Sequence, residues 1–64
     1  MRVQIPAYTD RWMMGDRYGD VVSTYRERPA QTAPDRDARE IARVKLDISG
    51  KTIRVIYDDC TVVL

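Results

Sequence analysis

The sequence has no histidine and no phenylalanine, and its only cysteine is Cys60. Without histidine, the chain lacks the commonest general base, the commonest zinc ligand and any Cys–His or Ser–His nucleophile pair. A single cysteine excludes an internal disulfide, which favours a reducing, cytoplasmic location for so small a domain. Asp58 and Asp59 precede Cys60 and disfavour its thiolate. The sequence therefore predicts a non-enzyme with no catalytic residue, metal or cofactor, in which Cys60 is structural.

Long hydrophobic runs and an excess of charge of one sign are also missing. The 64 residues carry 11 Lys and Arg against 10 Asp and Glu. No apolar run approaches the ~20 residues of a membrane span, and the N-terminus lacks the apolar core of a signal peptide, so no membrane contact is expected. The near-neutral charge does not indicate a general polyanion binder. The length allows one domain, residues 1–64.

The clearest pattern that is present is a β-hairpin in the C-terminal third. Two β-rich runs, 41–48 and 51–57, are separated by Ser49-Gly50, a typical two-residue hairpin connection. Pairing outward from this turn predicts one wholly apolar face and one largely polar face. The apolar pairs are Leu46/Ile53, Val44/Val55 and Ala42/Tyr57, and the polar face pairs Lys45 with Arg54 and Arg43 with Ile56.

Further strands are predicted on both sides of this hairpin, at residues 2–8, 12–14, 20–26 and 61–64. Gly15 and Gly19 suit a turn with positive φ between the second and third of these strands. Asp58-Asp59-Cys60 predicts a tight or 3₁₀ turn before the last strand. Since the chain has no phenylalanine, Trp12 and Tyr57 are expected to supply large rings to the core.

The segment between the halves carries two prolines and no large apolar residue. Residues 28–38 are predicted to form a mobile loop, because such a composition buries little surface. A short helix at 35–42 is the alternative, with Pro34 at its start and Ala38, Ile41 and Ala42 at helical spacing.

The strand order, the two-residue hairpin and the turn before a short last strand resemble an SH3-like small β-barrel. The glycine-containing stretch Trp12–Val22 is similar to the hairpin of KOW-type barrels, and the Arg-rich chain looks like short phage and prophage proteins. The resemblance implies an all-β, five-stranded barrel. Such barrels bind nucleic acids, ribosomes or peptides, so the fold alone does not fix the function.

The predicted outer face of the hairpin carries the strongest candidate site. Arg43, Lys45 and Arg54 share that face, and the like charges of Lys45 and Arg54 repel one another unless an anion lies between them. Arg17 and Tyr18, from the glycine turn, add an arginine and an exposed ring of the kind that holds nucleic-acid strands. The sequence therefore predicts a binding module for nucleic acid. A solvated surface face with no ligand is the simplest alternative.

A protein-interaction or structural module is the second functional class. Ile41 and Ile56 are predicted on the same outer face as the basic residues, where they would form an apolar contact spot. Tyr8 is a further candidate contact residue for this alternative. Self-association through exposed strand edges is one form of this alternative. Salt dependence separates the two classes, because nucleic-acid binding weakens steeply with salt and apolar contact does not.

Overall fold

Five β-strands and three short helical turns make up the fold in a computed structural model that describes residues 1–63. In chain order the elements are β1 (Arg2–Gln4), α1 (Asp10–Met13), β2 (Tyr18–Glu27), a 3₁₀ turn (Asp35–Asp37), β3 (Arg39–Leu46), β4 (Thr52–Ile56), a 3₁₀ turn (Tyr57–Asp59) and β5 (Thr61–Val62). The all-β prediction is confirmed, as is the 3₁₀ turn before the last strand. Of the predicted last strand at 61–64, residue Leu64 lies outside the described residues.

The strands form one antiparallel sheet in the order β4-β3-β2-β1-β5. The prediction that this sheet closes into a barrel is wrong for residues 1–63, because β4 and β5 remain its two edges. Closure would need hydrogen bonds between β4 and β5. The two-residue β5 pairs with β1 instead, matching Val3 with Val62.

The β3–β4 hairpin differs from the predicted one in its turn and therefore in its register. The loop holds four residues, 47–50, and is closed by hydrogen bonds from Leu46 N to the Lys51 carbonyl and from Gly50 N to the Leu46 carbonyl. All pairs move by two residues, so each side chain keeps its predicted face but changes its partner. The observed pairs are Ile41/Ile56, Ala42/Val55, Arg43/Arg54, Val44/Ile53 and Lys45/Thr52.

β2 is long, irregular and closely packed against β3. A bulge between Val21 and Ser23 breaks its register with β3, and bulges of this kind bend a strand and increase its twist. Gly19 faces Leu46, and a Cβ built on Gly19 would lie 2.4 Å from the Lys45 carbonyl oxygen. The prediction of positive φ at Gly19 is wrong. This glycine is required by the close approach of two strands, whereas Gly15 has a φ of +88°.

The core lies on the inner face of the sheet. Its buried side chains are Val3, Ile5, Ala42, Val44, Leu46 and Val55, and the half-buried Trp12, Val21, Ile53, Tyr57 and Cys60 pack against them. Trp12 and Tyr57 thus contribute to the core as predicted. Burial of these apolar surfaces is the main favourable contribution to folding of so small a domain.

The connection between β1 and β2 contains a one-turn helix, α1, where the sequence predicted a strand at 12–14. Thr9 caps this helix, because its Oγ1 accepts a hydrogen bond from Trp12 N at 3.3 Å. Threonine at this position and methionines within the turn favour helix over strand. A buried carboxylate, that of Asp16, accepts hydrogen bonds from Ile48 N (3.1 Å) and Ser49 N (3.0 Å), joining the connection to the hairpin loop.

Residues 28–38 form a loop that contains only the 3₁₀ turn Asp35–Asp37, so the alternative of a helix at 35–42 is wrong. β3 already begins at Arg39 and competes for the residues that such a helix would need. Arg26 of β2 holds the loop by donating to the Asp35 carbonyl at 3.3 Å, and within the loop Arg28 donates to the Ala33 carbonyl at 3.3 Å.

Candidate functional site

Three exposed cations lie together on the outer face of β3 and β4, and we call Arg43, Lys45 and Arg54 the basic patch. Alternation along β3 turns Arg43 and Lys45 away from the core, while Arg54 takes the same face on β4. The observed register places Arg43 directly opposite Arg54 and Lys45 opposite Thr52. The prediction that Lys45 faces Arg54 is wrong, since it assumed a two-residue turn. The shared face of the three cations is as predicted.

Hydroxyl groups flank the basic patch together with Asp20, which is the β2 partner of Lys45. Ser23 of β2 is the partner of Arg43 on the side away from β4, and Thr52 is the partner of Lys45. The Tyr25 hydroxyl lies 3.5 Å from Arg54 Nη1. This contact, followed by the charge of Glu27, raises the pKa of the Arg54 guanidinium. Guanidinium, ammonium and hydroxyl donors are the groups that proteins use to contact phosphate.

Two acidic side chains on the same face, Asp20 and Asp47, are engaged by Arg2. Its Nη1 lies 3.2 Å from Asp20 Oδ1 and 3.0 Å from Asp47 Oδ1, and its Nη2 donates to Asp47 Oδ2. The Arg2 hydrogen bond holds the pKa of Asp47 below its ordinary value, although partial burial opposes this. Within residues 1–63, the ion pairs involve Arg2 and Arg28, and none involves a member of the basic patch.

The two remaining residues of the predicted nucleic-acid site occupy different places. Tyr18 begins β2 on the outer face, opposite Gln4 and 44% exposed. The Arg17 guanidinium instead lies over the Trp12 ring, 4.5 Å from its centroid, and its Nε donates to the Trp12 carbonyl at 3.2 Å. The structure thus keeps Tyr18 on the face of the patch and uses Arg17 within the β1–β2 connection.

The residues predicted to form a protein contact line a groove next to the basic patch. Ile41 was expected to be exposed, which is wrong, because it is only 8% exposed, and Ile56 opposite it is half-buried. The groove has a volume of about 350 Å³. We call it the side groove; its lining residues are Tyr8, Thr9, Tyr25, Glu27, Ile41, Arg54, Val55 and Ile56.

Sequence reasoning missed the side groove because it depends on how β2 pairs with β3. Tyr25 faces Ile41 across that pair, but a long loop joins the two strands, so no short turn fixes their register. The alternation Tyr25, Arg26, Glu27 places the first and third side chains on one face. This alternation could be recognised in the sequence, but it did not show that β3 is the strand that pairs with β2 at these residues.

The Tyr8 side chain, at the edge of the side groove, is restrained by a hydrogen bond but remains exposed to solvent. Its hydroxyl donates to Asp59 Oδ2 at 2.6 Å, and this hydrogen bond is the main reason that the pKa of Tyr8 is raised to about 12. The residue is nevertheless 66% exposed. One end of the side chain is therefore fixed while much of its surface faces solvent.

Cys60 has the features of a structural thiol. Its Sγ lies 3.6 Å from the Ile56 carbonyl oxygen and packs on the core. Burial raises the pKa of this thiol, and the charge of Asp59 raises it further. Cys60 is thus mainly protonated near neutral pH and is a poor nucleophile.

Comparison with protein-family models, with curated proteins and with solved structures gave no match for this chain. In the described part of the chain, the helical turns are too short to cross a membrane.

Proposed function

We propose that this protein is a non-catalytic binding module that contacts nucleic acid through the basic patch. The observation that carries the proposal is the direct opposition of Arg43 and Arg54, with Lys45 beside them and no ion pair to any of the three within residues 1–63. Like charges placed directly opposite one another weaken a sheet. A bound phosphate removes that repulsion and uses both charges.

The arrangement of the acidic residues supports an anionic ligand. Arg2 binds both Asp47 and Asp20, the β2 partner of Lys45, so these two carboxylates have a cation of their own. Glu27 is the carboxylate whose charge acts on Arg54, and the three exposed cations of the patch outnumber it even though the net charge of the chain is only +1. A phosphate backbone is the common polyanion that fits a flat, exposed set of arginine, lysine and hydroxyl donors.

For the fold, we propose an SH3-like arrangement of the five strands in a sheet that does not close into a barrel. Its support is the strand order β4-β3-β2-β1-β5, the bulge in β2 and the 3₁₀ turn that precedes β5. Cross-strand contacts between backbone protons, measured by NMR, test this assignment. A strand order other than this one would contradict it.

The test of the function compares Arg43→Glu with Arg36→Glu, a matched control in the exposed 3₁₀ turn of the loop. Each substitution lowers the net charge by two. Binding of labelled DNA and RNA oligonucleotides is measured by fluorescence anisotropy at several salt concentrations. The wild type should show log K falling with log salt by about 0.7–0.9 per phosphate contact. Arg43→Glu should weaken binding and reduce the salt slope by the amount that corresponds to about one phosphate contact. Arg36→Glu should leave both the affinity and the slope unchanged.

Absence of binding at low salt would contradict the proposal, as would equal losses in the two variants. Unchanged affinity in Arg43→Glu would do the same.

Self-association is the second candidate, and one observation favours it. The sheet ends on two edge strands, β4 and β5, and Val62 on β5 is 46% exposed. Exposed edges offer backbone groups to a second chain. Size-exclusion chromatography with light scattering tests it: a dimer mass that is insensitive to salt supports this candidate, and a monomer at all concentrations contradicts it.

A further inference from the structure

The side groove and the basic patch are parts of one continuous surface. Arg54 belongs to both. On the β3–β4 ladder, the pair Ile41/Ile56 is the next outward-facing pair after Arg43/Arg54, a distance of about 6.7 Å along the strands. A ligand whose charged group lies on the arginine pair therefore has the side groove immediately beside it.

The lining of the side groove suits a flat, uncharged group rather than a second phosphate. Ile41 and Ile56 supply an apolar surface, and the rings of Tyr8 and Tyr25 add aromatic surface. Glu27 lines the same groove, and its carboxylate disfavours a phosphate there while accepting hydrogen bonds from amino or imino groups. A nucleobase has such a π-face and such donors.

The hydrogen bond from Tyr8 to Asp59 makes this ring a suitable stacking surface. The bond restrains the side chain before any ligand arrives, so less conformational freedom is lost on binding. The exposure of Tyr8 leaves ring surface available for contact. Stacking on aromatic side chains is the main way in which proteins hold the bases of single strands.

From this juxtaposition we infer that the preferred ligand is single-stranded nucleic acid, with phosphates on the basic patch and one base in the side groove against Tyr8. This inference rests on the proposed nucleic-acid function and adds the ligand class. Bases in a duplex are paired and stacked, so they enter such a groove only after unstacking, which costs free energy. Single strands present their bases without that cost.

The experiment compares Tyr8→Ala with Met13→Ala, which removes an exposed apolar side chain of α1 that belongs to neither the side groove nor the basic patch. Both are titrated with an unstructured oligothymidylate of about 12 nucleotides and with a mixed-sequence duplex of about 12 base pairs, a length within the range of ~4–16 nucleotides that one OB fold binds. For the wild type, we expect tighter binding of the single strand than of the duplex. Tyr8→Ala should weaken single-strand binding about 5- to 150-fold, the effect of one stacked base. Its affinity for the duplex should stay within about twofold of the wild-type value. Its salt slope should differ from that of the wild type by about one-half of a phosphate contact or less.

Two further variants separate stacking from folding. Tyr8→Phe keeps the ring and should retain single-strand affinity within about threefold, although it loses the hydrogen bond to Asp59. Tyr8→Leu keeps apolar bulk without an aromatic face and should behave like Tyr8→Ala. Urea unfolding of each variant, monitored by Trp12 fluorescence, shows whether the variant is folded under the conditions of the binding assay. A loss of affinity in a variant that is not folded is then assigned to unfolding.

The outcomes distinguish this inference from the function on which it rests. If Arg43→Glu weakens both ligands but Tyr8→Ala weakens neither, or weakens both equally, nucleic-acid binding stands and the base-binding role of the groove is refuted. The same conclusion follows if Met13→Ala weakens single-strand binding as much as Tyr8→Ala, or if Tyr8→Leu binds the single strand like the wild type. If the wild type binds neither ligand, the nucleic-acid function and the base-binding role of the groove are both refuted. The side groove would then fit an uncharged partner such as an apolar peptide.

Discussion

Gly19→Ala is expected to destabilise the fold by about 2 kcal/mol, because the added methyl group has no room between β2 and β3. The Cβ would lie 2.4 Å from the Lys45 carbonyl oxygen and 2.7 Å from Val44 Cγ1. Ordinary contact begins near 3.4 Å, so the two strands would have to separate by up to 1 Å. Overpacking of this kind costs about 1–3 kcal/mol. The neighbouring hydrogen bond from Asp47 N to the Tyr18 carbonyl, 3.0 Å long, would be weakened by a further ~0.5–1.5 kcal/mol.

One effect opposes these losses. Alanine restricts the unfolded chain more than glycine does, and this raises the free energy of unfolding by about 0.4–1 kcal/mol. The net loss is a large fraction of the ~3–10 kcal/mol that is typical for a domain of this length.

The assay is urea unfolding monitored through Trp12, the only tryptophan, which packs against the core. Gly50→Asn is the control, because Gly50 has a φ of +71° but nothing within 4 Å of its Cβ position. Asparagine tolerates this conformation better than other residues with a side chain. The control should therefore lose about 1 kcal/mol or less. A Gly19→Ala protein within about 0.5 kcal/mol of the wild type would refute the steric argument.

Three other predictions concern the core, the buried carboxylate and the thiol. Leu46→Ala should lower the free energy of unfolding by about 2–5 kcal/mol in the same urea assay, since Leu46 is fully buried, and a loss below about 1 kcal/mol would contradict that burial. Burial raises the pKa of Asp16, but hydrogen bonds from Ser49 and Ile48 outweigh this effect and hold the pKa below its ordinary value of 3.8. A carboxyl lowered in this way stabilises the fold above that value, and the contribution is lost as the pH falls through the folded-state pKa. Asp16→Asn should therefore show a flatter decline of the urea midpoint below about pH 4 than the wild type, and an unchanged decline would assign the acid sensitivity to other carboxyls such as Asp47. Cys60 should react slowly with a thiol reagent near neutral pH and rapidly in urea, whereas fast labelling of the native protein would contradict its raised pKa.

The sequence was sufficient to predict the faces of the hairpin but not its pairing. Alternation assigned Ala42, Val44 and Leu46 to the core, and all three are buried. The partner of each residue depends on the number of residues in the turn, and Ser49-Gly50 did not reveal that Asp47 and Ile48 also belong to it. Ile48 is left in the loop because its amide, like that of Ser49, binds the Asp16 carboxylate. That contact joins residues more than 30 positions apart, and local patterns do not encode it.

The candidate site was predictable to the same extent. Arg43, Lys45 and Arg54 share a face because alternation survives a register change of two residues. The burial of Ile41 was not predictable, because its partner Tyr25 lies across a strand pair that only the folded sheet defines. The position of Arg17 was not predictable either. Its guanidinium packs on Trp12, and that contact depends on the helical turn that stands where a strand was predicted.

The position of β1 has a consequence for biosynthesis. Val3 pairs on one side with Gly19 and on the other with Val62, which is made 59 residues later. At translation rates of about 5–20 residues per second, the first strand waits roughly 3–12 s for its second neighbour. During that interval one edge of β1 stays unpaired. Formation of the complete sheet is therefore tied to the synthesis of β5 rather than to the emergence of the first strands.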